Sequence, residues 1–582
     1  MRVLLLHPND SLRRGPWASQ RWDLVVDLAK SAQFSVDAWQ EQMRCPVLRS
    51  ESFRGGVEDV RAVRKVLSSG KDHLLDEEGI DWWELISLQL VPDALTLLPL
   101  SRLAAEIASF DELWATRTAW PVSALAILLD RSIRSFESSV LARPAARVRH
   151  YAGLSRRLSL AHIKEILLDK YDAGYQWRSR FATKPHRCTD PVVLVPSAYS
   201  NVSRMAAAYA TMLPQLSFLM VATRQNARQL EPASNMQLRD LAAYAKPADS
   251  SAEVKSMIER WMELSADLSD LPGIRVLSRA GLLNPFPDWI RDGLSARDAW
   301  REVISREPVC GVLCGDDSNW YTRLPVLLAS RRGIPGTDFH HGALDGVYLI
   351  KSLLCDVYLA KSQMERDYLV RVCGLPADKI VIAAPARGYI HSASRDEMPK
   401  ATSAIFFSEP YEVAGMRAEE VYRELLPLLC RLARENNRGV ILKLHPFESR
   451  TQRSRLLRDI LTIDDRALVR IVDGPLTNDL MAQVWFGITV ESTTVMDCLQ
   501  NGVQCFLCGW LRLSPYGYVE QYARFGLGEV LQNAQQITTI PKRLEDFHNA
   551  PKTIQSAEAD PAMLQRWLTF ALASKGAVNP VS

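Results

Sequence analysis

The chain has 582 residues, too many for one hydrophobic core, so two domains with a helical insertion are expected. Apolar residues make up 47% and charged residues 24%, the balance of an ordinary soluble globular protein. A formal net charge of +3 is too small at this size to point to nucleic acid, and no apolar run approaches the length of a membrane span.

The opening MRVLLLHPND is basic and then apolar, but its apolar part is too short for a signal peptide. It predicts a first buried strand, and a cytoplasmic location is expected. Further strands are predicted at DELWATR (111–117), PVVLVPSAY (191–199), LSFLMVATR (216–224), CGVLCGDD (310–317), GTDFHHG (336–342), CDVYLAKS (355–362) and KIVIAAPAR (379–387). Together they suggest one interrupted Rossmann-like domain over 1–390, with helical insertions at about 40–110 and 225–305. Trp82 and Trp83, in the first insertion, suit either the core or acceptor binding, and core is the favoured reading.

Between 131 and 157 lie Arg131, Arg134, Arg143, Arg147, Arg149, Arg156 and Arg157 against the single acid Glu137. A solvated basic face is the plain reading. The interleaved Phe136, Leu141, Val148 and Tyr151 also suit a segment lying on an anionic membrane surface.

After a polar linker at 391–402 the pattern is clearest. AIFFSEP (404–410), GVILKLHP (439–446), ALVRIVDG (467–474), WFGITVES (485–492) and VQCFLCGW (503–510) alternate with helical stretches. Continuously apolar strands in such alternation predict a parallel sheet covered on both faces, a second Rossmann-like domain over 403–550. Residues 551–582 hold an amphipathic helix expected to cross back to the first domain, and a tail. The expected fold class is therefore α/β, two Rossmann-like parallel-sheet domains facing a cleft.

Ligands of open parallel sheets bind beyond the carboxyl ends of the strands, so polar residues there are the candidates. In the first domain they are Asp316, Asp317 and Ser318, then His340 and His341, then Arg387. In the second they are Ser408 and Glu409, Lys443 and His445, and Glu491, Ser492, Thr493 and Thr494. Ser492–Thr494 open a helix, where hydroxyls serve either as caps or as anion ligands. Lys443 and His445, two residues apart on a predicted strand, suit a phosphate; a buried structural His is the alternative. Asp316 and Asp317 read as a helix cap with one acid turned to the cleft, and nothing else has metal-like spacing, so no metal is expected. Neither a dinucleotide fingerprint nor a P-loop occurs, and no cofactor is expected beyond a nucleotide-activated substrate. Cys505 and Cys508 form a CxxC, but within a strand, so they read as core thiols.

RRGIPGTDFHHG followed by CDVYLAKSQMERDYLVRVCGLPADKIVIAAPAR, with KLHP and ESTT further on, resembles bacterial surface-polysaccharide transferases of the GT-B fold. These include capsule-synthesis enzymes and the CDP-glycerol glycerophosphotransferases of teichoic acid synthesis. The resemblance covers roughly residues 310–510. It implies His341 as base towards an acceptor hydroxyl, His445 at the donor phosphates, and Ser492 and Thr493 as a phosphate-binding pair. His340 stands where many relatives have Gln or Trp, and APAR replaces Gly-x-Pro-Arg. A neutral imidazole suits a general base, with Gly342 leaving room for an acceptor and the second histidine orienting or binding.

The implied partners are a nucleotide-activated sugar or polyol donor, a glycan or lipid-linked acceptor, and the inner face of the membrane by reversible contact. The competing expectations are a nucleotide-sugar 2-epimerase, whose Asp-Ser-Gly-Gly signature is absent, and a catalytically degenerate scaffold of the same fold.

Overall fold

The computed structural model describes residues 1–8, 10, 15–29, 40, 44–137, 175–228, 232–245, 252–315, 320–340, 342, 344, 353–384, 401–412, 415–474, 476–511, 517–549 and 560–574. The candidates Asp316, Asp317, Ser318, His341 and Arg387, and most of the basic run, lie outside the described residues.

Three sheets are formed, all of parallel strands. The first joins β1 (Arg2–Leu6), β2 (Leu24–Asp27), β3 (Val47–Arg49), β4 (Glu112–Ala115) and β5 (Arg134–Ser135) in the order β3-β2-β1-β4-β5. The second joins β6 (Val192–Ser197), β7 (Ser217–Ala222), β8 (Met236–Asp240), β9 (Val309–Cys314), β10 (Gly336–Phe339), β11 (Val357–Ala360) and β12 (Ile380–Ile382) in the order β12-β11-β10-β9-β6-β7-β8. The third joins β13 (Ser403–Phe407), β14 (Gly439–Lys443), β15 (Val469–Val472), β16 (Val484–Thr489), β17 (Cys505–Cys508) and β18 (Glu529–Leu531) in the order β15-β14-β13-β16-β17-β18. Each sheet starts in its middle, winds outwards one way, and then reverses, which is the doubly wound order.

The α/β class with parallel sheets is thus as expected, but residues 1–390 hold two sheets and not one. β1 and β4 do not join the strands beyond residue 190; they pair with each other, β1 also with β2 and β4 also with β5. Contacts group this first sheet with the third in one compact unit, comprising Met1–Asp59, Thr96–Arg143 and Tyr389–Ile554. The second unit comprises Val60–Leu95, Pro144–Gly388 and Gln555–Ser582 and holds the second sheet.

In the second unit Trp82 and Trp83 are fully buried, as core residues should be. Trp83 stacks on Trp261 and Phe286 and donates its indole N–H to the Leu67 carbonyl at 2.6 Å. The helix Pro561–Ser574 packs its Leu564 and Leu568 into the core of the second sheet. Gly311 in β9 makes that approach possible, since a Cβ there would lie 2.3 Å from the Leu568 carbonyl oxygen. Gly311→Ala is expected to cost about 1–3 kcal/mol by overpacking, and limited proteolysis should then release the closing helix faster than in the wild type.

In the first unit, Phe136 does not face a lipid surface. It is buried against Trp17, Trp22 and Trp114. Arg131 donates to the carbonyls of Phe110 and Asp111, both at 2.6 Å, and so closes a loop. Cys505 and Cys508 are buried thiols in β17. No helix among the described residues is long and apolar enough to cross a membrane.

Candidate functional site

The third sheet reverses its winding between β13 and β16, and β14 flanks β13 on the other side. At about 4.8 Å between neighbours, the carboxyl ends of β14 and β16 lie roughly 10 Å apart. Phe407 pairs with Lys443 and Phe406 with Ile488, so the three ends are level. The turns beyond these ends share one edge of the sheet: Ser408–Glu409, Leu444–Glu448 and Val490–Thr494.

The helix Ala418–Glu435 backs this edge. It forms because Val421, Tyr422, Leu425, Leu426, Leu429, Leu432 and Ala433 recur at helical spacing and are all buried. Asn437, at φ 53°, then turns the chain in the left-handed conformation towards β14.

His445 is half-buried, and its Nδ1 accepts a hydrogen bond from the Phe447 N–H at 3.2 Å. That fixes the tautomer: the proton of the neutral ring sits on Nε2, which has no partner among the described residues. Burial, and then the Lys443 charge, hold the imidazole below its ordinary pKa. His445 is therefore a neutral donor at pH 7. β14 ends at Lys443, so the two-residue strand period does not carry on to His445. Lys443 is buried and donates Nζ to the Leu444 carbonyl at 2.9 Å.

Behind His445 lies a network that inspection of the sequence does not suggest. The Glu448 carboxylate, 1% exposed, accepts from the His445 N–H at 2.7 Å, the Ser408 hydroxyl at 2.7 Å and Arg453 Nε at 2.7 Å. Arg453 also grips Glu412 through both terminal nitrogens, at 2.6 and 2.7 Å. Burial raises the Glu412 carboxyl, but the Arg453 guanidinium lowers it further, and the net pKa falls below the usual range. Ser408 is thus a structural partner of Glu448. The only hint in the sequence is that Glu448 and Arg453 flank the Ser449 cap, whose hydroxyl takes the Gln452 N–H.

Glu409 is committed as well. Its Oε1 accepts from the Thr489 hydroxyl at 2.9 Å and from the Val490 and Glu491 N–H groups at 3.2 and 2.8 Å. Burial raises its pKa, and these donors oppose the rise. Its role is to shape the turn after β16. Ser492 Oγ accepts from the Thr494 N–H at 3.3 Å, so it caps the short helix Thr494–Gln500. Thr493, at the N-cap position, makes no side-chain capping bond. Glu491 offers a half-buried carboxylate beside them.

At the other candidate edge, His340 directly follows β10 and is 9% exposed. Lys361 Nζ donates to the carbonyls of His340 and Gly342, at 3.1 and 2.6 Å. Lys361 itself lies 3.7 Å from the buried Glu365, which also takes the Tyr358 hydroxyl at 3.0 Å. A lysine just beyond a strand end was the available signal for this clamp. Among the described residues, a Cβ on Gly342 would meet the His340 ring, at 3.5 Å from Nε2 and 4.0 Å from Cδ2. Among the described residues no group of three His, Cys, Asp or Glu side chains is placed to hold a metal ion.

No protein-family model matches the chain, and no curated relative does. Similar solved structures include the Staphylococcus aureus MnaA–UDP complex, at 13% identity over 67% of this chain and 98% of that one, with a TM-score of 0.41. The UDP-GlcNAc 2-epimerase of Neisseria meningitidis bound to UDP-GlcNAc is 13% identical over 65% and 99%, with a TM-score of 0.41. A glycosyltransferase from Rickettsia africae is 11% identical over 67% and 97%, with a TM-score of 0.37. Likeness at this level does not extend to activity.

Proposed function

We propose that the chain is a GT-B-type, metal-independent transferase. It moves a glycosyl or polyol-phosphate group from a nucleotide-activated donor to a glycan or lipid-linked acceptor in bacterial surface-polysaccharide biosynthesis. The third sheet is the donor side. The observation that carries the reading is His445: a neutral imidazole with Nε2–H undirected to any described partner, at a strand end, held by Glu448. Such a donor suits a phosphate oxygen. The Thr493 hydroxyl, across the winding reversal, supplies a second contact, with Ser492 and Glu409 shaping its turn. His341 is the base that takes the acceptor proton, Lys361 steadies its loop, and Asp317 and His340 belong to the same acceptor side. The basic segment after Arg143 brings the enzyme to the inner face of the membrane.

The test is calorimetric titration with CMP, CDP, UDP and GDP. His445→Ala is expected to weaken the best of them by about 1–3 kcal/mol, the worth of a hydrogen bond to a charged group. Unchanged affinity in the folded variant would sink the assignment. A pH series adds a second check. The free imidazole titrates below its ordinary value, and a bound phosphate raises it. Binding therefore takes up a proton, and affinity grows as pH falls through the range in which the bound imidazole becomes protonated and the free one is still neutral. The phosphate's own titration contributes in both proteins, so the expected result is a steeper slope in the wild type than in His445→Ala.

A nucleotide-sugar 2-epimerase makes the same demand on the donor side and needs no acceptor. Turnover of a UDP-sugar without acceptor would identify it. Failure of every nucleotide to bind would favour a scaffold.

A further inference from the structure

Phe447 is 71% exposed, one of few large apolar side chains left to solvent among the described residues. Isolated surface apolar residues need no explanation in themselves. This one differs in where it stands and how it is held. It lies two residues past His445, and the rings are 5.1 Å apart, tilted by 55°. Its N–H is spent on His445 Nδ1, and the His445 N–H is spent on Glu448. Pro446 between them fixes one more dihedral. The backbone that carries the ring is therefore ordered before any ligand arrives, yet the imidazole covers little of the ring.

We infer that Phe447 is a stacking platform for the base of the nucleotide donor. The inference rests on the nucleotide reading of this site. A phosphate on His445 Nε2 leaves the base about one ribose away, and the bare phenyl ring is the exposed aromatic surface beside that imidazole, 5.1 Å between centroids. Aromatic rings bind bases through their π faces, whichever base it is. Phe447 thus raises affinity for the nucleoside part without choosing among bases. A rigid mount lowers the ordering cost of such a contact.

The experiment compares UDP, CDP and inorganic pyrophosphate by calorimetry on the full chain. Phe447→Ala is expected to raise the Kd of both nucleotides about tenfold and to leave that of pyrophosphate unchanged. Phe447→Trp should keep nucleotide Kd values at or below those of the wild type. Three results overturn the inference. Equal losses for nucleotide and pyrophosphate mean that the ring acts through the His445 turn. Unchanged nucleotide Kd, with lost binding to anionic vesicles, makes the ring a membrane contact. Unchanged nucleotide Kd alone removes it from the site. If the wild type binds no nucleotide, the donor reading fails as well, and that outcome is distinct because it appears before any substitution.

Discussion

Asp27→Ala is expected to lower stability by about 3–5 kcal/mol, the range for removing one partner of a buried ion pair. Asp27 is fully buried at the carboxyl end of β2. Arg417, at the start of the helix Ala418–Glu435, reaches it through both terminal nitrogens, at 2.7 and 2.8 Å. The same guanidinium donates to the carbonyls of His7 and Asp10, both at 3.2 Å. One arginine thus occupies the edge where an open parallel sheet would take a ligand, and joins the first and third sheets within their unit. Burial, and to a lesser degree the Asp27 charge, push the neighbouring Glu420 carboxyl up to about 7, against the pull of Arg417. Removing Asp27 leaves Arg417 buried without its main counter-charge. Urea unfolding followed by tryptophan fluorescence measures the loss. Asp27→Leu combined with Arg417→Met should recover most of it, because a well-packed apolar pair is often as stable as a buried ion pair. A loss below about 1 kcal/mol for Asp27→Ala would show that the pair does not hold the sheets.

Arg453→Ala should cost a similar 3–5 kcal/mol, and here the site is affected too. Arg453 is 4% exposed and is the cation that the buried Glu448 carboxylate faces. Without it the Glu448 carboxylate is left buried with no facing cation, and its grip on the His445 N–H loosens. Nucleotide affinity is then expected to fall about as far as in His445→Ala. Arg453→Lys keeps the charge but cannot serve Glu448 and both Glu412 oxygens together, so it should fall between. Thermal unfolding and calorimetry on the same samples check both effects. Full nucleotide affinity in a destabilised Arg453→Ala would separate the network from the site.

Strands that are apolar throughout and bounded by turn residues were readable without coordinates. AIFFSEP, GVILKLHP and WFGITVES became β13, β14 and β16 because a strand buried on both faces has no polar position to obscure it. β2, β3, β5, β8 and β18 were not readable. LVVD and EVL are three or four residues long, too short for periodicity to show. MQLRD in β8 is an edge strand, mostly half-exposed, and it sits in a stretch whose composition is helical.

The candidate site divides in the same way. The sequence by itself determined the α/β class, the alternation of the last third, and the position of His445, Ser492 and Thr493 beyond strand ends. Local pattern suffices for these, since a parallel strand must end in a loop and the loop must carry the polar groups. Only the tertiary structure decided that β1 and β4 form a sheet of their own, that Glu409 and Ser408 are spent on the protein's own groups, and that Glu448 and Arg453 hold His445. Strand pairing, ion pairing and side-chain hydrogen bonding join residues such as Asp27 and Arg417 that local patterning cannot connect. Their partners are chosen by which surfaces the folded core brings within about 3 Å, and that choice has no period in the sequence.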